Sequence, residues 1–340
     1  MEIDFLQYQV RNGDTLTSIA SRLGMTGEEL KLFHNSHCKK MDKVWFENLN
    51  EVKNVFVPTH FKTETQKEQE RKNSFPSKFS ESFLAKTYSV NETFESPFEP
   101  SISIDYTIDL NLRKDKNKGH YILSYNQKDF KSDGNTPDDK VSSLSIACMK
   151  SIMPLEFIMN DKGQITGFEN HKKITDTFTH QRKELEEFYI GEVSQKYMDS
   201  FERNISDETF LLQQFQSILL FQTLFPKIDW FQRKKNWTEP FYFLKNSFPV
   251  SCELNIEQEN DDDHSVLTIL NGKITELCTP QEILRGIKLK ESASEPAQGN
   301  IVLEYTTHTK NKNILQAKAS VLLSYEDEFI HQHHINITQG

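Results

Sequence analysis

The chain has 340 residues, enough for about two domains that each bury a core. Its 40 Lys and Arg against 50 Asp and Glu leave a net charge of −10, which argues against a protein whose main task is neutralising nucleic-acid phosphates. Hydrophobic residues make up only 36%, yet 25 Phe, 10 Tyr and 3 Trp supply the large apolar side chains that a fully disordered chain lacks. Glycine is scarce, and no glycine-rich phosphate loop or dinucleotide fingerprint occurs, so no nucleotide cofactor is expected. Cys38, Cys148, Cys252 and Cys278 form no C-x-x-C pair; they read as free thiols, without a metal site. The opening residues carry Glu2 and Asp4 and no apolar stretch, so a secretory leader is not expected and the chain is placed in the cytoplasm. The most apolar window, 210–225, is broken by four glutamines and reads as a core helix, not a transmembrane segment.

Tyr8 to Val10 alternates as a short strand and runs into Asn12-Gly13-Asp14, residues that favour a turn. Asp14 or Thr15 can cap a following helix, whose Leu16, Ile19, Ala20 and Leu23 form one apolar stripe that stops at Gly24. Thr26 and Glu29 make a capping box for a second helix from Gly27 to about Phe33, with Leu30 and Phe33 facing inward. Val55-Phe-Val57-Pro58 then forms a strand able to pair with the first.

This β-α-α-β order, with Y-x-V-x-x-G-D-T-L-x-x-I-A-x-x-x-G-M-T-x-E-E-L over Tyr8 to Leu30 and V-x-V-P at 55–58, resembles a LysM module. The resemblance implies a shallow groove for the N-acetylglucosamine of peptidoglycan or chitin, between the first strand–helix turn and the loop after the second helix. By that resemblance Gly13, Asp14, Thr15 and Leu16 line one wall, with Met25 and Thr26 nearby. The other wall departs from the family: His34 and Asn35 are followed by an insertion from Cys38 to Phe46, and the usual P-G-Q turn is absent. The altered wall either blocks a glycan or presents Trp45 and Phe46 to a protein.

Residues 61–100 read as a linker and extended segment: 61–80 is polar and charged, and Phe79, Phe83, Phe94 and Phe98 then point to burial on the next domain. From Ile102, alternation predicts antiparallel strands at 102–112, 121–125, 155–159 and 165–168. Two helices follow, Thr175 to about Arg203 and Asp207 to Leu224, the second burying Phe210, Leu211, Phe215, Ile218, Leu219 and Leu224. Strands return at 248–256, 265–270, 273–277, 301–307, 314–324 and 329–338, with turns at 117–119, 260–263, Asn271-Gly272 and 310–313. The expected fold class is α+β: a small βααβ module at 1–60 and a larger antiparallel sheet with two packed helices at 101–340. Similar text in D-K-G-Q-I-T-G-F and N-G-K-I-T-E-L suggests two related halves, 101–225 and 240–340. In outline the layout is similar to curved-sheet, lipoprotein-carrier-like domains, a likeness of element order without a shared motif.

No catalytic set is complete. His331 and His333 form an H-x-H on a strand, but the second ligand segment of a lysostaphin-like metallopeptidase is missing, so both read as polar positions on an edge strand. Cys38 lies in the insertion and Cys148, Cys252 and Cys278 in strand-like apolar text, none at a helix N-terminus. Glu184, Glu186 and Glu187 read as a solvated helix face, and the run 257–264 as an acidic hairpin tip without calcium spacing. Arg233, Lys234 and Lys235 beside Trp230, Phe231 and Trp237 read as a basic turn over packed aromatics. The chain is therefore expected to be a binding protein, not an enzyme, with no metal and no cofactor. LysM proteins without a leader occur in contractile injection and type VI secretion machines, so the first expectation is an adaptor or cargo-loading part with spike or effector proteins as partners. A peptidoglycan-binding envelope protein is the alternative, and an antibacterial effector or cell-wall hydrolase a third.

Overall fold

The computed structural model describes residues 5–49, 52–59, 75–97, 99–115, 118–260, 264–289, 297–326 and 328–340. The chain divides into two compact units, Met1–Asn73 and Ser74–Gly340.

In the first unit, β1 (Phe5–Gln9) pairs antiparallel with β2 (Asn54–Pro58), Phe5 opposite Pro58 and Gln9 opposite Asn54. Between them run α1 (Leu16–Arg22) and α2 (Gly27–His37). Each helix starts with a capping box, Thr15 with Ser18 and Thr26 with Glu29, so local chemistry sets both boundaries. Gly24, at φ +70°, takes the left-handed turn that ends α1. Leu16, Ile19, Ala20, Met25, Leu30, Val44, Leu49, Val55 and Val57 make a small closed core.

The second unit is built on one antiparallel sheet of eleven strands. In chain order its elements are β3 (Thr87–Ser96), β4 (Glu99–Lys114), β5 (Tyr121–Ser132), α3 (Lys140–Ile152), β6 (Leu155–Met159) and β7 (Ile165–Phe168). Four helices follow: α4 (His171–Phe188), α5 (Glu192–Ser206), α6 (Glu208–Ser217) and α7 (Leu219–Leu224). The remainder is β8 (Trp237–Phe241), β9 (Val250–Asn260), β10 (Ser265–Ile274), α8 (Pro280–Arg285), β11 (Gln298–His308), β12 (Ile314–Tyr325) and β13 (Glu328–Gln339). The strand order is 7-6-5-4-3-13-12-11-10-9-8, so β3 and β13, from opposite ends of the unit, meet in the middle of the sheet. Alternation sends Tyr88, Ile108, Leu123, Phe157, Leu254, Leu303, Val321 and Ile337 into one buried face, while Ser89, Asp109, Glu253 and Asn336 stay on the other. Helices α3 to α7 supply the opposing apolar surface, with Phe178, Met198, Phe215 and Phe221 packed into the same core.

Both units bear out the α+β class, with several corrections of detail. The two expected helices are four: Gly191, at φ +118°, separates α4 from α5, and extended Ile218 separates α6 from α7. The text around Cys148 is helix α3, capped by Asp139 onto the Val141 and Ser142 amides, not strand. Within the segment read as linker and extended segment, Phe79 and Phe83 are buried in the body, the burial their aromatics pointed to, while β3 is in addition a central strand of the sheet. Asn271-Gly272 is not a turn. It lies inside β10, where a Cβ on Gly272 would come within 2.6 Å of Ile301 Cγ2 and 2.9 Å of Leu254 Cδ2, so glycine is there for close packing. The likeness of the two sequence halves ends here, because D-K-G-Q-I-T-G-F forms a hairpin and its counterpart continues a strand. The turn at 310–313 is present; Phe98, Asn117, residues 61–74 and the tip 261–263 lie outside the described residues.

Candidate functional site

In the N-terminal module the β1–α1 turn and the loop after α2 are joined by hydrogen bonds. Thr15 bridges Asn48, and the Leu16 amide donates to the Glu47 carbonyl at 3.2 Å. The Glu47 carboxylate accepts from the Thr17 amide at 2.6 Å, and its other oxygen stands 3.5 Å from where a Gly27 Cβ would be. Bonds from the Thr17 hydroxyl and amide hold the Glu47 carboxyl below its ordinary pKa. Glu47 and Thr17 were not among the sequence candidates, since a single Glu in a polar loop carries no pattern.

The candidates themselves fall into three groups. Leu16 and Met25 are core residues and offer no side chain to a ligand. Thr15, Asp14, His34 and Asn35 are used by the scaffold. Thr15 caps α1, and the Asp14 carboxylate accepts from the Arg11 amide at 2.8 Å and the Tyr8 hydroxyl at 2.9 Å and pairs with Arg22. The Arg11 amide bond is the largest influence holding the Asp14 carboxyl below its usual pKa. His34, 1% exposed, meets the Asp42 carbonyl through Nε2 at 2.9 Å and accepts from the Phe56 amide at Nδ1, 3.0 Å. Asn35 clamps Val44 from both sides, donating to its carbonyl at 2.8 Å and accepting from its amide at 2.7 Å. These two residues tie the insertion to α2, which fixes the loop without leaving their polar atoms for a glycan.

The third group is open to solvent. Gly13 is exposed at φ +90°, and Thr26 is exposed although its hydroxyl serves the α2 cap. Trp45 and Phe46 are 66% and 79% exposed, next to Glu47 on the loop wall, and Met41 in the same insertion is 97% exposed. Met41, Trp45 and Phe46 thus stand in water on a loop that His34 and Asn35 tie to α2.

The chemistry-bearing groups of the second unit are occupied structurally. His331 and His333 lie on β13, in the middle of the sheet and not at its edge. His333 bonds the Glu92 carboxylate at 2.8 Å and stacks on Phe94 at 4.1 Å, and Tyr106 donates to the other Glu92 oxygen. Burial, then the neighbouring His333, pushes the His331 pKa down to about 4. Burial raises the Cys148 and Cys278 thiols to about 11 and Cys252 to about 12, the opposite of an activated nucleophile. Among the described residues no group of three or more His, Cys, Asp and Glu stands where it could hold a metal. Trp230 and Phe231 are buried, and Arg233 lies 5.8 Å over the Trp237 ring above an exposed basic turn. No helix among the described residues is long and apolar enough to cross a membrane.

The module is thus a two-stranded βααβ unit whose loops are joined by hydrogen bonds, with Trp45 and Phe46 exposed on one of them. The family whose model matches is the LysM domain, over residues 8–32. No curated protein matches the chain. Among solved structures, a lipovitellin chain described under lipid–protein interactions is similar over 76% of this chain at 12% identity and a TM-score of 0.37. This chain spans 25% of that lipovitellin chain's length. A LolA superfamily protein from Nitrosomonas europaea is similar over 82% of this chain and 92% of its own, at 7% identity and a TM-score of 0.23.

Proposed function

We propose that the protein is a non-enzymatic binding protein whose N-terminal module reads N-acetylglucosamine polymers, peptidoglycan first. The match of residues 8–32 to the LysM domain carries this reading. Open Gly13 on one loop and exposed Trp45 and Phe46 on the other support it, because aromatic faces stack on the apolar faces of sugar rings. Loop pairing through Thr15, Leu16 and Glu47 holds the two walls together before a ligand arrives, which lowers the ordering cost of binding.

The test is co-sedimentation of the full chain with purified peptidoglycan sacculi, with a Trp45→Ala, Phe46→Ala double variant. Wild-type binding and its loss in the variant are expected. A bulky residue at Gly13 is a poorer probe, since φ +90° would strain it. Failure of the wild type to sediment would remove the glycan reading. A second reading is favoured by Met41, Trp45 and Phe46 jointly forming an exposed apolar loop: docking to a spike or effector protein, as an adaptor or cargo-loading part of a contractile, type VI-like secretion apparatus that carries the chain out of the cytoplasm. Under that reading the double variant loses a protein partner and sacculi are irrelevant.

A further inference from the structure

The second unit contains a cavity of about 690 Å³ between β4 and β5 of the sheet and helices α3, α5 and α6. Its wall is mainly apolar: Ile104 and Phe130 come from the sheet, Met149 from α3, Phe201 from α5, and Leu211 and Phe215 from α6. Protein cores are close-packed, and an apolar space of this size forfeits dispersion contacts all along its lining. The volume falls in the range of roughly 300–1,000 Å³ typical of small-molecule sites.

Charge narrows the ligand. On a chain of net charge −10, the charged residues lining this cavity are both cationic, Lys131 and Lys245, and both are exposed. Lys131 stands opposite Asp105 in the β4–β5 register, on the sheet face turned away from the helices, which leaves Lys245 as the cation at the cavity margin. The remaining polar lining is neutral, including Ser142, Ser145 and Gln214. An apolar interior with a cation and no carboxylate at its solvent-facing margin suits an amphiphile with an anionic head.

Size narrows it further. A methylene takes about as much room as a water molecule, about 30 Å³, so the space holds about twenty chain carbons. That accommodates one long acyl chain. We infer that this cavity binds one long-chain fatty acid, with its chain against Phe130, Met149, Phe201 and Phe215 and its carboxylate at Lys245. The site belongs to the second unit and is independent of the glycan reading.

The experiment uses the full chain with palmitate and, as the uncharged control, hexadecanol, read by native mass spectrometry and by displacement of a fluorescent fatty acid. The expected result is one palmitate per chain. Met149→Trp, which fills the cavity, should abolish binding. Lys245→Glu should weaken palmitate by about tenfold or more, with hexadecanol unchanged, because only the charge-assisted contact is lost. Lys245 is exposed, so this variant keeps its fold and remains decisive if Met149→Trp does not. Absence of palmitate binding to the wild type, or equal palmitate affinity in the lysine variant, would overturn the assignment.

Discussion

The two units solve the same problem with different means. The N-terminal module closes a core of nine buried residues with two short helices, each bounded by a capping box within three residues of its start. The body is held by pairings that reach across its full length: β3 at 87–96 lies beside β13 at 328–339, and the Tyr88 hydroxyl donates to the Ile314 carbonyl at 3.1 Å. The difference teaches that the module's helix boundaries are set by local polar caps, whereas the order of the body depends on pairings and aromatic contacts between distant residues. Phe157 alone packs with Tyr125, Phe168, Phe215 and Phe221.

The comparison breaks if a core truncation in one unit unfolds the other. Phe157→Ala should cost the body about 3–5 kcal/mol, seen in urea melts followed by near-ultraviolet circular dichroism, because a fully buried ring leaves a cavity. The module, followed by amide hydrogen exchange of α1 and α2, should keep its protection. Gly272→Val should destabilise the body by about 1–3 kcal/mol through overpacking against Ile301 and Leu254, a smaller effect in the same unit. A neutral outcome would show that β10 can shift away from its neighbours.

On the module side, Asn35→Ala should cost about 1–3 kcal/mol, since it leaves the Val44 amide and carbonyl without their partner. The readout is amide hydrogen exchange of α1 and α2, with the body transition unchanged. The smallest effect is electrostatic. Glu47 and Asp14 have folded-state pKa values below their ordinary ones, so their contribution is present above the usual carboxylate range and is lost as pH falls through the lowered values. Module stability should therefore decline below pH of about 4, the ordinary carboxylate range. Glu47→Gln should flatten part of that decline in urea melts at a series of pH values, and an unchanged slope would remove Glu47 from the account.

Legibility followed the same division. The helix starts at Thr15 and Thr26, the stop at Gly24 and the final strand at 55–58 were readable because each rests on residues a few positions apart. In the candidate groove, the pattern named Gly13, Trp45 and Phe46, which are exposed, but also Leu16 and Met25, whose side chains the core takes. Periodicity alone could not say that His34 and Asn35 would be spent on tying down the insertion, or that Glu47 would bridge to Thr17.

By itself the sequence determined the α+β class, the βααβ module with its caps, and the alternating strands of the body, because capping and side-chain alternation are properties of neighbouring residues. Tertiary structure alone decided that Asn271-Gly272 is a packing contact and not a turn, that His333 sits against Glu92 in mid-sheet, and that helices α3, α5 and α6 leave a cavity over β4 and β5. Each of those outcomes depends on which distant strand or helix lies opposite, a pairing that no local stretch of chain encodes.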